Sequence, residues 1–113
     1  MSLGLGKADA FLEDFTLQAL WCVREAGDEV ARRFQKAVDS RLRLLCEQPG
    51  LGRIRRCRDP KLRALRSFAV EQPFQRFLIF YREDGVTLQA VRLMDGARDL
   101  PRRLVEPPGS GTV

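Results

Sequence analysis

Near the C-terminal end, LMDGARDLPRRL sets Arg98 and Asp99 side by side, just after a glycine-containing turn that ends an apolar run. An arginine in that place suits two tasks. It can grip a phosphate or carboxylate through its planar fork, or it can brace the corner while Asp99 caps a following short helix. Arg66, Arg76, Tyr81, Arg82 and Arg92 lie on or beside runs that read as strands, and together they would supply positive charge and an acid. A base is harder to find, with Glu71, Glu83 and Asp95 as the carboxylates at hand. The sequence contains no histidine, which excludes a Ser-His or Cys-His nucleophile pair and an imidazole base. Cys22, Cys46 and Cys57 are far apart and form no CxxC pair. The first two read as small core residues, and neither a metal nor a cofactor is expected.

Charge is concentrated in one place. Of 20 Lys and Arg and 15 Asp and Glu, the stretch RIRRCRDPKLRALR from Arg53 to Arg66 holds seven and one, leaving 13 against 14 in the rest of the chain. Such a block attracts an anionic partner, either nucleic acid or the acidic surface of a protein, with Arg55 and Arg56 as its candidate contacts. Arg102 and Arg103, followed by Leu104 and Val105, form an amphipathic end that a disordered partner segment can order or displace.

The elements that must position these groups follow from periodicity. A length of 113 residues with 44% hydrophobic content predicts one domain with one modest core. Phe11, Phe15, Leu20, Trp21 and Cys22 recur near helical spacing between about Asp9 and Ala26, with Trp21 read as core, and Gly27 is fit to end that helix. A short strand is expected just before, around Leu5 to Ala10. A second helix begins with Asp28 as its cap and carries Val30, Phe34, Ala37, Val38, Leu42 and Leu45 at i, i+3, i+4 spacing until Pro49 and Gly50 stop it. The period then changes to that of strands. LRALRSFAV, FQRFLIFYR and VTLQAVRLM are separated by EQP and EDG, both turn chemistry. FLIFY is apolar on both faces, which suits a central strand. In the last strand, Val86, Leu88, Ala90 and Met94 read as one face, shared by Arg92, against Thr87, Gln89, Val91 and Leu93. The fold class is therefore α+β: a helical hairpin packed on an antiparallel sheet of three to four strands. The tail from about residue 106 is expected to fray. No stretch approaches the roughly 20 apolar residues that cross a bilayer, and MSLGLGKADA lacks a signal peptide's apolar region. A cytoplasmic location is expected.

Read in order, WCVREAGDEVARRFQKAVDSRLRLLCEQPGLGR, LRALRSF, FLIFYRED and VRLMDGARDLPRRL resemble the RelE/ParE toxin superfamily, in its ParE-like, plasmid-stabilisation branch. The resemblance runs from about Phe11 to Leu104. It implies a toxin of a type II toxin-antitoxin system, paired with a cognate antitoxin from a neighbouring gene and acting by binding DNA gyrase. The alternative it implies is a ribosome-dependent mRNA endoribonuclease of the RelE kind, with Arg98 and Tyr81 as catalytic residues. A third is a non-toxic relative that still binds the antitoxin. Partner-binding residues are then Arg55, Arg56, Arg66, Arg82, Arg92, Arg98, Arg102 and Arg103. Asp95 stands where the branch usually has His before GARD, and Leu78, Leu62 and Ala64 fall where the RNA-cutting relatives have an arginine and two lysines. These departures favour a binding toxin over an enzyme.

Overall fold

The protein is seen in a computed structural model that describes residues 2–96, 104, 105, 107 and 108. Five strands form one sheet in the order β1-β5-β4-β3-β2, where β1 is Gly4–Lys7, β2 Arg53–Ile54, β3 Arg66–Ala69, β4 Phe77–Glu83 and β5 Thr87–Asp95. Helices α1, Asp9–Ala26, and α2, Asp28–Glu47, lie together on one face. The α+β architecture is the one expected, with one strand more than the upper expectation, and the sheet is mixed. β1 runs parallel to β5, pairing Gly4 with Thr87 and Lys7 with Ala90. β2 is drawn from the basic stretch, where two exposed residues pair with Ser67 and Arg66.

The helices form because their inward faces are apolar. In α2 Phe34, Ala37, Val38, Leu42, Leu45 and Cys46 are buried, and Phe34 meets the rings of Phe15, Phe74 and Phe77 at centroid distances of 5.8, 5.3 and 5.2 Å. Gly27, with φ of 92°, is the single residue between the two helices. Asp28 makes no capping hydrogen bond and instead lies in the first turn of α2, where its charge favours the helix dipole. α1 differs from expectation at two positions. Phe11 and Cys22 face inward, whereas Leu20 is 56% and Trp21 49% exposed. At 100° per residue Leu20 lies opposite Phe11 and Trp21 lies well off its face, so apolarity alone misplaced them.

Alternation along β4 divides the core in two. Phe77, Ile79 and Tyr81 join the helices, while Phe80 faces the other side with Leu62, Leu65, Met94 and Leu104. The second face is thus covered by the segment that follows β2 and by Leu104. In β5 the register slips: Tyr81 pairs with Ala90 and Phe80 with Arg92, leaving Val91 as an extra residue. The bulge corrects the expected alternation. Leu88, Ala90 and Leu93 face the helices, and Met94 packs with Phe80.

The β4–β5 turn is closed by Asp84, whose Oδ1 accepts the backbone N–H groups of Val86 and Thr87 at 2.9 and 2.7 Å, next to Gly85 at φ 89°. Those donors hold the Asp84 carboxyl below its ordinary pKa. A depressed carboxylate stabilises the folded turn above its unfolded pKa of about 4 and loses that contribution as pH falls through the lower folded value. Asp84→Asn should therefore flatten the acid limb of amide exchange at Val86 and Thr87, and an unchanged limb would refute the assignment.

Candidate functional site

Tyr81 and Arg66, paired across β3 and β4, converge on the turn that ends α2. The Tyr81 hydroxyl donates to the Pro49 carbonyl at 2.6 Å and accepts the Gly52 N–H at 2.8 Å. Arg66 Nη1 donates to the carbonyls of Gly52 and Gly50 at 2.8 and 3.4 Å. Tyr81 is fully buried, and burial pushes its phenol above the ordinary value. It therefore remains protonated at neutral pH and serves as a brace. Gly52 is needed for close approach, because a Cβ there would overlap the Tyr81 hydroxyl.

The basic stretch is held from beneath. Arg55 Nε donates to Ser67 Oγ at 2.7 Å and its guanidinium lies 5.7 Å from the Phe80 ring centroid. Arg82 Nη2 donates to the Lys61 carbonyl at 2.6 Å. Asp59, the only acid of the stretch, accepts the Lys61 N–H and starts a short 3-10 turn at Pro60–Leu62. Arg53, Arg56, Arg58, Lys61 and Arg63 are exposed, and among the described residues their side chains make no hydrogen bond or ion pair. A cleft of about 480 Å³ opens beside them, lined by Arg53, Ile54, Arg55, Arg56, Cys57, Phe80 and Leu104.

Arg92 lies elsewhere, and its assignment to the face of Leu88 and Ala90 is corrected by the bulge. It is 5% exposed. Its Nε and Nη2 donate to the two oxygens of Asp14 at 2.7 and 3.1 Å, and its Nη1 donates to the Leu104 carbonyl at 3.1 Å. A side chain so enclosed is not displayed to a partner, so Arg92 ties α1, β5 and Leu104 together. Asp14 also accepts the Leu93 N–H at 3.0 Å, at the part of β5 that β1 does not cover.

Asp95 is bound by Arg76, whose Nε donates to its Oδ2 at 3.1 Å. The pair is largely solvated on the Arg76 side, at 61% exposure, so Arg76→Ala should lower stability by less than about 1 kcal/mol. A larger loss in urea unfolding would mean that this pair closes the β4–β5 end. Arg98, Asp99, Arg102 and Arg103 lie outside the described residues, as does the tail after 105 apart from Pro107 and Pro108.

The candidate set is therefore not one site. Tyr81 and Arg66 share a turn; Arg55 and Arg82 support the basic rim from opposite ends; Arg56 stands free on it; Arg92 is interior. Burial raises the pKa of the Cys22 and Cys46 thiols, as suits core residues. No group of three His, Cys, Asp or Glu among the described residues is placed to hold a metal ion, and no described helix is long and apolar enough to cross a membrane.

The family model for the ParE toxin of type II toxin-antitoxin systems, parDE, matches residues 8–100. The chain belongs to the ParE toxin family. Among solved structures it is similar to one described as the chromosomal ParDE TA system from P. aeruginosa, with a TM-score of 0.66 and 18% identity over 83% of this chain and 96% of that one. Identity at that level speaks for the shared fold. The comparison with curated proteins finds no match. A ParE toxin has a cognate antitoxin as its partner, so some surface of this toxin must serve that contact.

Sequence reasoning missed Asp14 and Gly52. Asp14 carried a faint signal, sitting three residues after Phe11 and one before Phe15 on the inward face of α1. Gly52 stood only as the glycine of the PGLGR stretch after the second helix, and the hydroxyl that demands it comes from 29 residues away.

Proposed function

We propose that this toxin arrests growth by binding, holding DNA gyrase in its DNA-cleaved complex until the cognate antitoxin sequesters it. The observation that supports binding over catalysis is the state of Tyr81. Its hydroxyl is buried between Pro49 and Gly52, with both its donor and an acceptor position engaged. Cleavage of RNA through its 2′-hydroxyl requires a base, a cationic cradle and an acid that reach the substrate together. Here Arg66 and Arg92 are turned to backbone and to Asp14, Asp95 is paired with Arg76, and no histidine is present. Because gyrase works on the chromosome, this reading places the toxin in the cytoplasm.

The test is induction in a bacterium lacking the antitoxin gene, with thymidine and methionine incorporation followed together. Thymidine incorporation should fail first and recover when the antitoxin is supplied, and the purified toxin should trap cleaved plasmid on gyrase. Early loss of methionine incorporation with cut ribosome-bound message would replace this reading by the endoribonuclease. No effect on either would leave an antitoxin-binding relative without toxicity. Arg98→Ala should leave gyrase trapping intact and change antitoxin affinity or stability by about 1 kcal/mol, as a corner brace would. Loss of trapping in a folded Arg98→Ala variant would instead put this arginine at the target.

A further inference from the structure

We propose that the arginine-rich rim from Arg53 to Arg63 docks on the phosphate backbone of duplex DNA. Charge placement carries this inference. The rim holds the chain's positive excess, and its one acid, Asp59, is engaged with the Lys61 N–H. Arg53, Arg56, Arg58, Lys61 and Arg63 are exposed and make no side-chain hydrogen bond or ion pair among the described residues. All but one of these are arginines, whose planar forks match two phosphate oxygens at once.

The rim is also built in advance. Arg55 is tied by its N–H to the Leu65 carbonyl at 2.8 Å and by Nε to Ser67, Arg82 holds the Lys61 carbonyl, and Leu62 and Leu65 are buried beneath the sheet. Binding a polyanion there does not require a loop to be ordered first.

Composition selects the kind of polyanion. Residues 53–66 contain no aromatic side chain, so the rim offers no platform on which unpaired bases would stack, and a duplex fits it better than a single strand. Ile54 is its only exposed large apolar side chain, whereas the centre of a protein interface is usually apolar. The choice of DNA over an RNA duplex rests on the gyrase reading, because gyrase holds duplex DNA.

Anisotropy of a short labelled DNA duplex tests this with the purified chain and no gyrase. With four phosphates engaged, affinity should fall about 10²-fold between about 50 and 200 mM salt. The triple variant Arg53→Glu, Arg56→Glu, Arg58→Glu should abolish that binding, and the corresponding glutamine triple should flatten the salt slope by nearly three. Matched reversals at Arg24, Arg33 and Lys36, exposed on the helices, serve as the control and should leave most of the affinity. Equal losses from rim and helix reversals would reduce the effect to net charge and overturn the proposal. Tighter binding to an RNA duplex, or displacement of DNA by polyglutamate at equal charge, would also overturn it. Gyrase inhibition is read separately. If trapping persists while the chain fails to bind DNA, the docking surface falls and the gyrase reading stands; DNA binding without trapping leaves the reverse.

Discussion

Asp14→Ala is expected to destabilise the fold by about 3–5 kcal/mol. Asp14 and Arg92 have side chains 8% and 6% exposed. Removing the carboxylate takes from an enclosed guanidinium the anion bound at its Nε and Nη2 and removes the acceptor of the Leu93 N–H. Both consequences act in the same direction, and neither is relieved by water where the pair is this closed. Urea unfolding gives the number directly. The pair's own worth is a different quantity, since taking two charges out of water offsets much of their attraction. Asp14→Leu combined with Arg92→Met should therefore recover a large part of the loss seen in Asp14→Ala. A loss below about 1 kcal/mol for Asp14→Ala would mean that water or the remaining partners of Arg92, such as the Leu104 carbonyl, satisfy the guanidinium.

Such a pair was hidden for reasons that apply to the fold at large. The apolar period of α2 runs unbroken from Phe34 to Leu45, so that helix could be read locally. β4 was legible too, because a run apolar on both faces has few other uses. Long-range pairing is different. Nothing within Gly4–Lys7 states that it will lie parallel to Thr87–Ala90, and nothing in Arg53–Ile54 marks two residues of a charged run as an edge strand. One extra residue at Val91 reversed the faces of half a strand and carried Arg92 from its expected surroundings to Asp14. The candidate site suffered most, because a side chain's task depends on what it meets. Tyr81 was placed correctly on the central strand, although the strand runs on to Glu83, and its partners Pro49 and Gly52 stand 32 and 29 residues away. The free arginines of the rim were legible as charge, since exposure is the ordinary state of an arginine.

Tyr81→Phe is the second large effect, and it separates brace from catalyst. The variant keeps the buried ring and removes only the oxygen that accepts from Gly52 and donates to Pro49. Leaving a buried N–H and a partly buried carbonyl without partners should cost about 1–3 kcal/mol. A phenol kept protonated by burial has no role in trapping gyrase on the proposed reading, so trapping per folded molecule should be unchanged. Gly52→Ala supplies the complement. In the parent chain its methyl group collides with the Tyr81 hydroxyl and the ring edge beneath it. Tyr81→Phe removes the oxygen and with it the closest of those contacts, so the two substitutions combined should cost less than the sum of their separate losses. Additive losses would show that the turn fails for some reason other than this contact. Loss of RNA cleavage at unchanged stability in Tyr81→Phe would point the opposite way: the hydroxyl would then have to leave Pro49 and reach a substrate, and the buried position of Tyr81 would describe only the resting toxin.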